Sequence, residues 1–169
     1  MDGYIAAKRT LFERIHENSI TIVGMEDKHC RGICMELMIN RGCKNIVPIS
    51  GSARIPGGIY VENGMLIDDL KNTRNVIMDL HSISTLPGQH NWQNAAAAYA
   101  ATSSIGVDPD IIIEGFKTFG GLPHRQELVQ NINGILFVND SKATNTAAAA
   151  KALDCYDDIH WILGGQFKE

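Results

Sequence analysis

The sequence predicts an α/β fold, and three observations carry that reading. Helix-like and strand-like segments alternate through the first fifty residues, which argues for a largely parallel sheet covered by helices. Two Asn-Gly pairs, Asn63-Gly64 and Asn133-Gly134, sit between short apolar runs and mark tight hairpins, because both residues tolerate the positive φ of a type I′ turn. A Gly-Gly pair at 120 and 121 then separates two stretches that each resume a sheet-like pattern, and a domain boundary is placed there.

Taken in order, Tyr4 to Ile15 has apolar positions at helical spacing and runs into the β-branched stretch "SITIVG", a helix followed by a strand. The order repeats with a helix from about Asp27 to Asn40, Gly42 as its C-cap, and a strand from Asn45 to Ile49. "GIYVENGMLIDDL" is the first hairpin. An Ala-rich helix follows from about Asn91 to Ser104, and another from about Pro109 to Phe119. Beyond the boundary come a strand, the second Asn-Gly turn, and the apolar run Ile135-Leu136-Phe137-Val138, read as a buried strand. A helix from about Thr144 to Leu153 and a strand from Ile159 to Leu163 close the chain. Opening on a helix with no strand before it, and stopping one strand past the last helix, the sequence is expected to be an internal piece of something longer. Its incomplete sheets are expected to expose edges through which it self-associates.

With 169 residues, 44% of them hydrophobic, the chain is long enough to bury a core. A net charge of −4 gives no electrostatic footprint for nucleic acid or an anionic membrane, so any anionic ligand must be met by local groups. No apolar stretch approaches a membrane span and no secretory pattern opens the chain, which makes a cytoplasmic protein the expectation. Cys30, Cys34, Cys43 and Cys155 form no CxxC pair and read as buried thiols. His29 beside Cys30 and Cys34 lacks a carboxylate or second histidine at ligand spacing, which weighs against zinc.

Five stretches carry polar groups that a plain scaffold does not need. "LPGQHNWQNAAAA" brings Gly88, His90, Asn91 and Asn94 to the start of a helix. Asn91 suits an N-cap, while Asn94, three residues on, suits a nucleobase, whose edge a carboxamide can both donate to and accept from. "GLPHRQE" offers Arg125, whose planar guanidinium can grip phosphate oxygens bidentately, with His124 beside it as a second donor or a strand cap. "NDSKATN" ends an apolar strand in Asp140, Ser141 and Lys142 and leads through Thr144 or Asn145 into a helix whose first amides can meet an anion. An ion-paired loop is the plain alternative for that cluster. "LGGQFK" ends in Lys168, and "YIAAKR" contains Lys8, which by pattern is an ordinary helix-surface lysine.

In this order the five stretches resemble the Mur ligase family, and "GLPHR" followed by "NDSKATN" is similar to its members that add D-glutamate. The resemblance, which runs from residue 2 to 169, implies a partial parallel-sheet, ATPase-like central domain over residues 1–119 and the start of a Rossmann-like C-terminal domain over 120–169. It implies a parent enzyme of peptidoglycan synthesis that uses ATP to phosphorylate the carboxylate of UDP-N-acetylmuramoyl-L-alanine, after which the amine of D-glutamate displaces phosphate from the acyl phosphate. It further implies that Arg125 and Asp140 contact ATP with Asn91 and Asn94, that Lys142 and Thr144 lie near nucleotide and amino acid, that His124 neighbours the site, and that Lys168 meets a D-glutamate carboxylate. Lys8 matches a lysine that is carbamoylated and helps to hold Mg2+. The rival expectation is a noncatalytic remnant or nucleotide-binding module of the same fold; a dinucleotide oxidoreductase would need a G-x-G-x-x-G that is absent.

Overall fold

The computed structural model describes residues 2–14, 16, 18–41 and 45–166, so Gly42, Cys43 and Lys168 lie outside the described residues. The chain divides into two compact units, Met1–Gly120 and Gly121–Glu169.

The first unit begins with α1 (Asp2–Glu13), β1 (Thr21–Gly24), α2 (Lys28–Arg41) and β2 (Ile46–Ser50). α2 starts where Asp27 can accept from the His29 and Cys30 amides, at 2.8 and 3.1 Å, and those two hydrogen bonds hold the Asp27 carboxyl below its ordinary range. β3 (Ile59–Glu62) and β4 (Met65–Asp68) form the first hairpin, with Asn63 at φ 50° and Gly64 at φ 76°, the conformations expected of a type I′ turn. β5 (Asn75–Asp79) then pairs with β4, and the unit ends with α3 (Gln89–Ser104) and α4 (Pro109–Thr118). α4 opens on Asp108, which accepts from Asp110 N, with Pro109 in the first turn where its missing N–H costs nothing.

The five strands stand in the order β1-β2-β3-β4-β5. β1, β2 and β3 are parallel, whereas β3, β4 and β5 are antiparallel, so the sheet is mixed. The alternation of helix and strand stops at residue 50, and the hairpins beyond it account for the antiparallel half. α3 packs on this sheet through Ala95, Ala96, Tyr99 and Ala100, all buried against Val47, Ile49, Ile59, Val61 and Leu66. Three alanines let the helix axis come close to the strands, and Tyr99 fills the remaining depth. A second, smaller cluster of Val23, Cys34 and Ile46 seats α2.

Tyr99 Oη donates to Asp68 Oδ2 at 3.3 Å, and burial, then the Asp68 carboxylate, push the phenol from its ordinary 10.0 up to about 12. The unfolded chain therefore loses this proton first. The stabilisation from neutral Tyr99 is complete below about pH 10 and declines as pH rises toward 12. Thermal unfolding at pH 9 and pH 11 should show a smaller alkaline loss in Tyr99→Phe than in the parent chain.

The second unit is β6 (Glu127–Ile132) paired antiparallel with β7 (Ile135–Asn139) around Asn133-Gly134, followed by α5 (Thr146–Leu153). Two sequence expectations fail here. β7 is no buried strand: Ile135, Leu136 and Phe137 are exposed, because a two-stranded hairpin has no second layer over that stretch. Residues 159–163 form no strand either, and Ile162 is 96% exposed. An apolar run becomes a strand only where a neighbouring strand takes its hydrogen bonds, and no described strand pairs with this one.

Candidate functional site

Polar groups in the first unit gather where β1 and β2 end and α3 begins, the carboxyl end of the parallel strands where open α/β sheets place ligands. Glu26, two residues past β1, is the hub. Its Oε1 accepts from Ser50 Oγ at 2.8 Å and from Gly51 N at 2.5 Å, and its Oε2 accepts from Gln93 Nε2 on α3. Ser50 Oγ in turn accepts from the amides of Ser52 and Ala53, at 3.1 and 2.9 Å, which shapes the turn after β2. No local sequence signal marks this hub, since Glu26 and Gln93 are 67 residues apart.

Beside it lies a cavity of about 400 Å³ bounded by Gly51, Ser52, Asn63, Gly64, His81 and Trp92. His81 meets the Trp92 ring edge-on at 5.0 Å, and its Nδ1 lies 2.9 Å from Asp79 Oδ1. The His81 amide, then its ring, holds the Asp79 carboxyl below the ordinary range. Glycine is required at 64 because a Cβ there would sit 1.9 Å from the His81 ring.

The two asparagines of the Ala-rich helix part company. Asn91 is not the N-cap; that position is Gly88, at φ 82°, with no side-chain capping bond. Asn91 is 6% exposed and its Nδ2 donates to Pro87 O at 2.7 Å, whereas Asn94 presents its carboxamide to solvent. His90 is half-buried in the same first turn. Lys8 is exposed on α1 with its Nζ 5.5 Å from the centre of the Tyr4 ring, a cation–π contact.

In the second unit the polar cluster ties two loops together. The His124 amide donates to Glu127 Oε2 at 2.8 Å, and His124 Nδ1 lies 2.9 Å from Asn139 Nδ2. Lys142 N donates to His124 O at 2.9 Å, and Gln126 N donates to Asp140 Oδ1 at 3.1 Å. Ser141 N donates to Asn139 Oδ1 at 3.1 Å, and Ala143 N to Asp140 O at 2.9 Å, so β7 ends at Asn139 and residues 140–143 turn away from it. Asn145, not Thr144, caps α5, accepting from Ala148 N at 2.8 Å. Thr144 is exposed just ahead of it.

What the cluster does not consume is informative. The Arg125 guanidinium and the Lys142 ammonium are exposed and have no side-chain partner among the described residues, and Asp140 keeps Oδ2 free. Among the described residues no ion pair joins Asp140 to Lys142: main-chain groups and the Asn139, Asp140 and Glu127 side chains close the loops, with His124 Nδ1 3.7 Å from Glu127 Oε2, and the two cations stand outward. A charge left unpaired beside a braced loop is available to an anion.

A model of the Mur ligase middle domain matches residues 1–102. The chain is 49% identical over 169 residues to the UDP-N-acetylmuramoylalanine–D-glutamate ligase of Rhodospirillum rubrum, covering 100% of this chain and 35% of that protein. It is 47% identical to the enzyme of the same name from Paramagnetospirillum magneticum, covering 100% of this chain and 36% of that protein. For the Caulobacter vibrioides protein of that name the figures are 44% identity, 99% and 36%. The chain thus spans about a third of the length of the curated relatives it matches.

Proposed function

Because the chain belongs to the Mur ligase family, we propose that it forms part of an ATP-dependent amide ligase of peptidoglycan synthesis, joining D-glutamate to UDP-N-acetylmuramoyl-L-alanine in the cytoplasm. The observation that carries this reading is the similarity, across the whole chain, to proteins named for that ligation. The free cations of the second unit support it.

A carboxylate resists attack by an amine until one of its oxygens becomes a good leaving group. ATP supplies that group as a phosphoryl, leaving an acyl phosphate that the amine of D-glutamate opens with loss of phosphate. Charge crowds onto the phosphate oxygens at both steps, and fixed cations meet it without reorganising. Arg125 is proposed to hold those oxygens through its planar fork and Lys142 to add a point charge from the neighbouring loop. Asp140 Oδ2 would accept from a ribose hydroxyl, and Asn94, with Asn91, would lie by the adenine. Thr144 and His124 would line the same region, and Lys168 would face the amino-acid carboxylate.

Lys8 enters through the family alone. As a carbamate it would offer a hard oxygen to Mg2+; among the described residues no group of three or more His, Cys, Asp or Glu gathers to hold a metal ion by itself. The ion therefore carries no step derived from these residues.

In the ligase that contains this chain, Arg125→Ala should lower kcat/KM about 100-fold, raising KM for ATP as well as lowering kcat, since a charge-assisted phosphate contact made to bound ATP and strengthened in the transition state is lost. Its melting temperature should move by less than about 2 °C, because the guanidinium holds nothing else in place. Near wild-type phosphate release would overturn the role.

A further inference from the structure

Gln126 is the single buried side chain among the described residues of the second unit, at 7% exposure, while Leu128, Val129, Ile135, Leu136 and Phe137 around it are exposed. A carboxamide in the place a core residue would take is costly unless it is hydrogen-bonded. Gln126 Nε2 donates to Cys155 Sγ at 3.4 Å, just past the end of α5, and its main-chain N–H donates to Asp140 Oδ1 at 3.1 Å. One residue therefore ties together the loop before β6, the turn after β7 and the end of α5.

The backbone repeats the message. Gln126 lies at φ 45° and His124 at φ 64°, left-handed conformations that residues with a side chain keep only when their surroundings hold them. Arg125 sits between the two. We propose that Gln126 is a positioning residue, bolting the Arg125 loop to Asp140 and Cys155 so that the guanidinium and the free Asp140 oxygen meet a nucleoside triphosphate as a fixed pair. The proposal rests on the reading of Arg125 and Asp140 as nucleotide contacts.

Cys155 suits the far end of such a bolt. Burial pushes its thiol up, so it stays protonated at neutral pH, donating to Lys151 O at 3.2 Å and leaving sulfur lone pairs for the carboxamide.

The test uses the intact 169-residue chain and a graft of it into the matching stretch of the Rhodospirillum rubrum relative, with which it shares 49% identity. In the graft, Gln126→Leu and Cys155→Ala should each raise KM for ATP about fivefold with little change in kcat, whereas Cys155→Ser, which keeps an acceptor, should stay within about twofold. In the chain alone, Gln126→Leu should speed iodoacetamide labelling of Cys155 about threefold, read by peptide mass spectrometry, because the loop covering the thiol opens more often. If Arg125→Ala impairs the graft while Gln126→Leu and Cys155→Ala leave KM unchanged, the positioning role is overturned. If the grafts do not fold, equal labelling of Cys155 in both chains overturns it. A graft whose KM for ATP ignores Arg125→Ala overturns the nucleotide reading instead.

Discussion

Incubated with Mg-ATP, UDP-N-acetylmuramoyl-L-alanine and D-glutamate, the 169-residue polypeptide is expected to release no phosphate above buffer. Nowhere in its sequence does lysine follow glycine, so the loop that cradles the β and γ phosphates and presents a lysine to them is not encoded in these residues. What the chain brings is Arg125, Lys142 and one oxygen of Asp140, with Asn94 on a separate unit. Phosphoryl transfer depends on positioning more than on reactive side chains, and these groups hold no triphosphate in line by themselves. Nucleotide affinity should accordingly be no better than about 1 mM, since charge contacts without a cradle leave little to bind with. Isothermal titration with ATP and a colorimetric phosphate assay read the two parts separately. Substrate-dependent release would show that the missing loop is dispensable and would sink this account of the chemistry.

The elements that could be read in the sequence are those whose cause is local. Asn63-Gly64 and Asn133-Gly134 announce their hairpins because the turn itself demands positive φ, and both hairpins form. The helices α3 and α4 follow from an alanine run and from Asp108-Pro109, again signals carried within a few residues. β5 was not anticipated, because "NVIMD" is a mostly exposed edge strand that owes its state to pairing with β4, across a bulge between Leu66 and Ile67. The strand expected at 159–163 failed for the converse reason, having apolar residues but no described partner.

The candidate site divides along the same line. Arg125, Asp140 and Lys142 stood out as residue types, and the structure adds that both cations are left unpaired while Asp140 braces a loop. The Glu26 hub and the Gln126–Cys155 contact could not have been anticipated, because each joins residues far apart in the chain. Asn91 and Asn94 lie three apart in one helix. Their burial differs because Asn91 turns back on Pro87 at the helix start, whereas Asn94 lies a turn further along on the open side.

Replacing Gly51 by alanine should unfold the first unit more readily than any comparable small change. Gly51 directly follows β2, beside the first turn of α3, and its N–H donates to Glu26 Oε1 at 2.5 Å. A Cβ built there would lie 2.1 Å from Gln89 O and 2.5 Å from Gln93 N, both main-chain atoms of α3. No rotamer change relieves that overlap, so the helix must back away from the strand. α3 cannot shift without loosening Ala95, Ala96, Tyr99 and Ala100 from the core, and overpacking against backbone costs about 3 kcal/mol or more. For a unit of this size that corresponds to a melting temperature lower by roughly 10–15 °C. Gly32→Ala is the matched control: it lies inside α2, its Cβ would meet nothing within 4 Å, and it should raise stability by about 0.5–1 kcal/mol through helix propensity alone. Circular dichroism melts of the two variants should therefore move in opposite directions from the parent chain. A Gly51→Ala chain melting within about 2 °C of the parent would mean that α3 does not rest on the end of β2.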